Sequence, residues 1–243
     1  MTFSLNQHHK YTSVNHKEGT KKTTNNPRGG LTQALESKGH VFKYTDGRLE
    51  SDPEPGTPLH LTPPPLHFNH AKSKPWDKEI KGICDGPFYS HYQRDIPPGD
   101  ELARAIDHTM NIIHREGPFD AVLTFSQGAA LAAALLLHHA RVNPAAPPLF
   151  RLAVFICGAA PYTPDGMEIL DRAPDAPYPL TVPTVHIVGR EDKLYPWSMR
   201  LYGLCDPRSA ELYDHGSRHH IPFDMKNTEA MLAVIERGIE RAG

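Results

Sequence analysis

The stretch FDAVLTFSQGAALAAALLLHHAR, residues 119–141, joins a short apolar run to an Ala- and Leu-rich segment through a tight turn. FDAVLTF has the length and composition of a buried strand, and AALAAALLLHHAR has those of a helix that ends at Asn143-Pro144. The turn between them is Ser126-Gln127-Gly128. A buried strand that turns directly into a helix is typical of a parallel sheet with helices packed on its faces.

The same alternation recurs on both sides of this stretch. RLAVFICG, PTVHIVG and Ser209–Tyr213 predict three later strands, and Asn227–Arg241 predicts a C-terminal helix. A short helix from Leu31, a strand in HVFKYTDG and a helix capped by Asp100 come before it. Repeated βαβ units indicate an α/β fold with a mostly parallel sheet flanked by helices, and we predict that one domain spans residues 31–243.

Two segments depart from this alternation. Residues 1–30 are polar and basic, and we predict a disordered or atypical N-terminal tail there because such a segment buries too little apolar surface to offset its ordering entropy. The segment Ser51–Pro98 contains ten of the 24 prolines, which exclude long helices and central strands. Connections of this length are usually lids or disordered insertions, so we expect this one to cover the edge of the sheet.

The composition excludes several classes of protein. The 243 residues include 26 basic and 28 acidic side chains, so no net field would hold a nucleic acid or an anionic membrane. No apolar stretch approaches the ~18 residues that a membrane span requires, and no apolar signal region follows the N-terminus, which predicts a cytoplasmic protein. Three cysteines without CxxC spacing favour neither a disulfide framework nor a cysteine-rich zinc site, whereas the 16 histidines leave a metalloprotein open.

Ser126 is the candidate nucleophile. A nucleophile elbow holds a serine Oγ above the sheet on a strained turn between strand and helix, and the following backbone N–H, here that of Gln127, lies at a helix N-terminus where it can stabilise an oxyanion. The usual pattern is G-x-S-x-G, whereas this chain has Thr124 at the first position. A serine that merely caps the helix is therefore the alternative.

The partners of a nucleophilic serine on this fold should follow as an acid and then a histidine, each after a later strand. Asp192 follows the strand PTVHIVG and lies 192 − 126 = 66 residues after the serine. The next strand is followed by His215, His219 and His220, any of which could serve as the base. A neutral imidazole that accepts the serine proton, oriented by a carboxylate, makes the alcohol a competent nucleophile.

The runs GPFDAVLTFSQGAALAAALL, RLAVFICGAAPY, VPTVHIVGREDKLYP and DHGSRHHIP together resemble the fungal FSH-type serine hydrolases, small members of the α/β-hydrolase superfamily without a large cap domain. The resemblance covers roughly residues 82–242. It implies that the family's G-x-x-D acid is Asp192. The family's H-x-G-G-H-x-V-P motif lies over residues 215–222 and implies that His219 is the base, with His220 as the alternative, while Ser217 and Arg218 replace the two glycines.

The family also opens with a strand that ends in L-H-G, whose following loop supplies a second oxyanion N–H. Nothing in residues 1–30 resembles it, so we expect the usual first strand to be missing from the sheet. Loss of one oxyanion donor would lower the rate on the order of 10² to 10³-fold. Either the start of the chain is substituted, or the protein is a diverged member with impaired catalysis.

A functional role is less strongly indicated for the other reactive or aromatic side chains. We predict that Cys157 is a small buried hydrophobe and that His215 is structural. Aromatic residues in connections at the carboxyl end of the sheet are candidates for an acyl pocket. Trp76, Tyr92 and Tyr162 are three of these, and the substrate-binding residues that we select are Phe88, Tyr89, Tyr195 and Trp197.

These inferences predict an esterase or thioesterase that works through an acyl-enzyme on Ser126, with no metal or organic cofactor. The resemblance implies a polyketide-type or other acyl substrate in secondary metabolism, either a small-molecule ester or a thioester on a carrier protein, with a polyketide synthase as a partner. The alternative is a catalytically impaired binding protein on the hydrolase fold.

Overall fold

Six mutually parallel strands form the main sheet of the computed structural model, which describes residues 2–3, 10–14, 30–51, 88–93 and 96–243. A short seventh strand is antiparallel to its neighbours. The strands are β1 Thr2–Phe3, β2 Lys10–Val14, β3 Phe42–Thr45, β4 Leu49–Ser51, β5 Phe88–Ser90, β6 Phe119–Phe125, β7 Leu152–Ile156, β8 Thr184–Val188 and β9 Ala210–Asp214, and the helices are α1 Leu31–Ser37, α2 Asp100–Glu116, α3 Gln127–Val142, α4 Tyr195–Gly203 and α5 Met225–Ala242.

The main sheet has the order β3-β2-β1-β6-β7-β8-β9, and β4 and β5 form a separate antiparallel pair. β6, β7, β8 and β9 run parallel in the order in which they occur along the chain. The predicted α/β-hydrolase fold class, with its mostly parallel sheet flanked by helices, is confirmed. Among the described helices, none is long and apolar enough to cross a bilayer.

Strand alternation separates the core into two layers. In β7, for example, Leu152, Val154 and Ile156 face the layer that α1 and α5 cover, whereas Ala153 and Phe155 face the layer that α3 and α4 cover. Both faces are apolar because helices cover both of them, which explains why the strands read as continuous apolar runs. The carboxyl ends of β6, β7, β8 and β9 therefore meet along one edge of the sheet.

The expectation that the usual first strand is missing differs from the structure, in which β1 and β2 lie beside β6. Tyr11 of β2 pairs with Phe42 of β3, and Lys10 pairs with Phe119 of β6, both in parallel register. β2 thus runs parallel to β6 on the side where we expected the usual first strand to be missing. Without these strands the backbone N–H and C=O groups along that side of β6 would lack ladder partners. The rest of residues 1–29 lies outside the described residues.

Two other expectations change. The segment after Asp192 was expected to be a connection, but it forms helix α4, with a proline in its first turn. Asp100 is the first residue of α2, and Gly99, with φ 51°, occupies the cap position. Most of the proline-rich segment Ser51–Pro98 lies outside the described residues.

The imidazole side chain of His186 is buried against the sheet. It lies in β8, 1% exposed, with its ring between Phe155 and Tyr202 and its Nε2 3.1 Å from Thr184 Oγ1. Burial lowers the pKa of His186 from 6.5 to about 3 because the charged form would lose its hydration.

This buried imidazole predicts acid sensitivity. Between about pH 6.5 and pH 3 the unfolded chain binds a proton at His186 that the folded chain does not, so the free energy of unfolding falls as the pH falls through that window. His186→Phe should flatten this dependence, measured by urea denaturation at a series of pH values. Asn111→Gln, at an exposed position on α2 that carries no titratable group, is the control and should leave the slope unchanged. Equal slopes for the wild type and His186→Phe would contradict the assignment.

Candidate active site

Ser126 occupies a left-handed turn between β6 and α3. Its φ is 55° and its ψ is −122°, a conformation that is costly for a residue with a side chain. The backbone is held on both sides, because the Ser126 N–H donates to Ile156 O at 3.0 Å and its carbonyl accepts from Ala159 N at 3.1 Å. The Ser126 side chain makes no capping bond to α3, so the alternative of a simple helix cap does not describe it.

Thr124 stands where the usual elbow pattern has glycine. Its side chain is fully buried, and its hydroxyl donates to Val154 O on the neighbouring strand at 3.1 Å. The hydroxyl therefore has a partner despite its burial, and the threonine fits the sheet without disturbing the turn that follows.

Three side chains from different loops meet at this turn. His219 Nε2 lies 3.0 Å from Ser126 Oγ, and His219 Nδ1 lies 2.7 Å from Asp192 Oδ2. All three residues are less than a tenth exposed. The ring of Phe125 lies 4.7 Å from the imidazole of His219, centre to centre, and supports it from the side. The three residues selected from the sequence thus come together in hydrogen-bonding order.

The loop after β8 holds the carboxylate of Asp192. The Leu194 N–H donates to Asp192 Oδ1 at 2.8 Å, which leaves Oδ2 for His219. Burial by itself would raise the pKa of Asp192, but hydrogen bonds from His219 and Leu194, with further help from the charge of His219 and the thiol of Cys157, outweigh it and lower the pKa. The carboxylate is therefore ionised opposite the imidazole at neutral pH.

The loop that carries His219 packs on Gly189 at the end of β8. A Cβ at Gly189 would collide with the backbone oxygen of Ser217, so the loop can approach this closely only because that position has no side chain. The Glu191 N–H also donates to Ser217 O at 3.2 Å. The replacement of the family's two glycines by Ser217 and Arg218 is thus accommodated, with His219 directed at Ser126.

The neighbouring histidines take other positions. The His215 ring is buried, with Nε2 3.5 Å from Cys157 Sγ, and burial lowers the pKa of His215, with a smaller effect from the charge of His220. The ring of His220 lies 5.6 Å from that of His215, centre to centre. Of the three histidines that the sequence left open, His219 is the one that contacts Ser126.

Cys157 lies directly behind the acid. Burial, and then the negative charge of Asp192, raise the pKa of its thiol, so it is protonated at neutral pH. In the described part of the chain, Cys157, Asp192 and His219 have ligand atoms within 4.8 Å of one another. Because Asp192 and His219 already bond to each other and a thiolate is disfavoured here, this trio is a poor match to a zinc site. That the protein needs no metal remains a prediction.

A cavity of about 970 Å³ opens beside Ser126. Its wall is mostly apolar, while Glu191, Lys193 and Arg218 place charges of both signs on its polar side. Such a cavity suits an uncharged, apolar group attached to a carbonyl that reaches Ser126. The other lining residues are Tyr92, Gln93, Ile96, Pro97, Gln127, Ala130, Ala159, Ala160, Tyr162, Ile169, Asp192, Leu194, Trp197 and His219.

The aromatic candidates divide into three groups. Tyr92, Tyr162 and Trp197 line the cavity. Tyr195 and Tyr89 are not among the lining residues. Residues two apart on a helix, such as Tyr195 and Trp197 on α4, do not share a face, whereas Tyr89 belongs to β5, which pairs with β4. The side chain of Phe88 and the whole of Trp76 lie outside the described residues.

The small lining residues are among those that sequence reasoning missed. Ala130, Ala159 and Ala160 border the serine, and nothing in their chemistry distinguishes them from core alanines. Their only signal in the sequence was their position, one turn into α3 or just past the end of β7, where both elements approach the elbow.

Gly158 allows this close approach. A Cβ on Gly158 would lie 2.7 Å from Ala129 Cβ and 3.2 Å from Leu201 Cδ2, so it would force α3 and α4 away from the end of β7. Ser198 Oγ on α4 also donates to Gly158 O at 2.8 Å. The turn at Ser126 and the base of α4 are therefore joined through this one position.

We expect Gly158→Ala to destabilise the protein by about 1 to 3 kcal/mol, because the added methyl group overpacks this contact. Gly203→Ala is the matched control, since a Cβ there meets no atom within 4 Å, and its effect should stay within about 0.5 kcal/mol. Urea denaturation measures both. Equal stability of the Gly158→Ala variant and the wild type would show that the contact is not as tight as described.

The fold and the arrangement around Ser126 are those of α/β-hydrolases. A family model described as "Serine hydrolase (FSH1)" matches residues 19–231, and the chain belongs to this family. The chain is 30% identical over 216 residues to esterase FPY3 of Fusarium mangiferae, covering 86% of this chain and 87% of that protein. It is 32% identical over 208 residues to hydrolase phiM of Talaromyces stipitatus, covering 81% and 73%.

A search of solved structures finds a variant of Arabidopsis thaliana SOBER1 at a TM-score of 0.47 and 14% identity, covering 94% of this chain and 97% of that one.

Proposed function

We propose that this protein hydrolyses carboxylic esters or thioesters through an acyl-enzyme on Ser126. The observation that supports the proposal most directly is the chain of hydrogen-bonding contacts from Ser126 Oγ through His219 to Asp192, set on a strained turn. Membership in a serine hydrolase family supports the same reaction class.

In the proposed mechanism, Ser126 Oγ attacks the substrate carbonyl carbon while His219 Nε2 accepts the hydroxyl proton. The ionised Asp192 holds the Nδ1–H tautomer of His219 and stabilises the imidazolium that forms. The Gln127 N–H, at the first residue of α3, donates to the oxyanion. The family pattern includes a second donor in the loop after its first strand, and in this chain the residues that follow β2 lie outside the described residues.

Collapse of the tetrahedral intermediate breaks the bond to the alcohol or thiol, which leaves with the proton from His219. His219 then removes a proton from water, the resulting hydroxide attacks the acyl-serine, and the acid product leaves as Ser126 recovers its proton. No step in this cycle needs a metal or an organic cofactor.

For the substrate, we propose an apolar acyl group, because the cavity beside Ser126 is lined chiefly by aliphatic and aromatic side chains. The FPY3 protein is named an esterase and phiM a hydrolase, which is consistent with ester cleavage. From the resemblance to fungal polyketide-pathway enzymes we further propose a polyketide-type ester, or a carrier-protein thioester with a polyketide synthase as partner, in the cytoplasm.

The alternative of a catalytically impaired binding protein depended on the missing first strand, Thr124 and the residues at 217 and 218. β2 pairs beside β6, Thr124 has a hydrogen-bond partner, and the loop closes with His219 on Ser126. These observations favour the enzyme.

Labelling with a fluorophosphonate probe tests the reaction class. The wild type should react, and Ser126→Ala should not, because the probe requires a serine hydroxyl that a base activates as a nucleophile. Activity on a short-chain ester should also fall on the order of 10⁴-fold or more in Ser126→Ala. Ser37→Ala, at an exposed serine on α1, should keep full labelling. A folded wild type that stays unlabelled would eliminate the proposal.

A pair of variants on α4 tests the acyl pocket. Trp197 lines the cavity, so Trp197→Ala should raise KM for esters of medium-length acyl chains by about tenfold through lost apolar contact. Tyr195→Ala, two residues earlier on the same helix and not among the lining residues, should leave KM unchanged. Steady-state kinetics on the purified variants measures both KM values. Equal KM values for the two variants would rule out this side of the cavity as the acyl site.

A further inference from the structure

The side-chain amide of Gln127 binds two successive backbone groups far away in the chain. Gln127 Oε1 accepts from the His91 N–H at 2.9 Å, and Gln127 Nε2 donates to Tyr92 O at 2.9 Å. Both the acceptor and a donor of the amide are thus used, with good hydrogen-bond lengths, across a separation of 35 or 36 residues. The residue that offers its backbone N–H to the oxyanion therefore also holds another segment with its side chain.

The segment that it holds leads directly into one wall of the cavity. Tyr92, Gln93, Ile96 and Pro97 line the cavity, and Tyr92 is only 3% exposed. The Tyr92 ring packs edge-on against Tyr162, another lining residue, with centroids 6.1 Å apart. Residues 92, 93, 96 and 97 together are called the Tyr92 wall below.

Other attachments of the Tyr92 wall involve β4 and the helices α2 and α3. β5, which precedes it, pairs with β4, and Arg48 next to β4 forms an ion pair with Glu101 of α2 at 2.9 Å. Tyr92 also packs against Leu102 and Leu131 in the cluster between α2 and α3. Gln127 is the contact that joins the wall to the residue beside the nucleophile itself.

We propose that the Gln127 side chain is a positioning residue that fixes the Tyr92 wall relative to Ser126 and thereby determines how well long acyl groups are used. This inference rests on the proposed esterase function. An acyl chain that contacts the wall depends on the distance between the wall and the acyl carbonyl at Ser126. An acetyl group has a single methyl group to place against the wall, so it should depend on the wall much less.

The proposed effect arises because a long acyl chain must be held in one orientation for its carbonyl to meet Ser126. Two neutral hydrogen bonds from one amide fix the wall in both distance and direction relative to Ser126, and their loss would remove that restraint. If the wall samples several positions, a long acyl chain loses contacts with it and is less often oriented for attack by Ser126.

Two substitutions separate this role from a general loss of activity. Gln127→Met keeps the length and volume of the side chain but removes both hydrogen bonds. Gln127→Glu keeps an acceptor for the His91 N–H but directs a carboxylate oxygen at Tyr92 O. For both, kcat/KM for p-nitrophenyl octanoate should fall about ten- to thirtyfold more than kcat/KM for p-nitrophenyl acetate, chiefly through KM.

A double-mutant cycle links the effect to the wall. Tyr92→Ala should produce the same selective loss for the octanoate, and Gln127→Met combined with Tyr92→Ala should add little to either single change, because both act through one contact. Additive losses, or equal losses for acetate and octanoate in Gln127→Met, would overturn the proposal.

Amide hydrogen exchange gives a readout that does not depend on catalysis. Exchange at residues 90–93 should rise at least about tenfold in Gln127→Met, while the strands β7 and β8 keep wild-type protection. Unchanged exchange at residues 90–93 overturns the positioning role, even in an active enzyme. Failure of the wild type to react with the fluorophosphonate probe instead overturns the proposed function, whatever the exchange shows.

Discussion

The left-handed backbone at Ser126 determines where its neighbours must lie. A residue with a side chain takes this conformation only when surrounding bonds hold it, and here Ile156 O and the Ala159 N–H bind the two sides of the turn. Both groups belong to β7 or the residues after it, so the turn depends on correct pairing of β6 with β7. The close approach at Gly158 then brings α3 against the same strand end. The position of the serine hydroxyl is therefore a property of the central sheet.

Burial of polar groups follows from that position. Asp192 and His219 lie where water is largely excluded, and each buried polar atom in the contact has a partner. In an environment of low polarity an ionised carboxylate is stabilised only by such bonds, and the lowered pKa of Asp192 reflects their sum. Thr124 and His186 follow the same pattern inside the sheet, where the Thr124 hydroxyl donates to Val154 O and His186 Nε2 lies 3.1 Å from Thr184 Oγ1.

The cavity, in contrast, is assembled from segments that are distant in the chain. α4 contributes Trp197, the residues after β7 contribute Ala159 and Ala160, and the segment after β5 contributes Tyr92. The loops that bring them together can vary without disturbing the sheet. In the function that we propose, the chemistry at Ser126 and the choice of acyl group are carried by different parts of the fold, and the side chain of Gln127 joins the two.

Local patterns in the sequence were enough to predict β6, α3, β7 and β8, because the faces of strands and helices are encoded by residues two to four positions apart. The order of the serine, the acid and the histidine could be read in the same way, since each follows a strand. Spacing left His215, His219 and His220 open, and the family motif implied His219. Tertiary structure alone brings the imidazole of His219 into contact with Ser126, 93 residues away. It also paired β2 with β6, separated Trp197 from Tyr195, and found a partner for Thr124. These outcomes depend on loop paths and on contacts between distant segments, which no local periodicity contains.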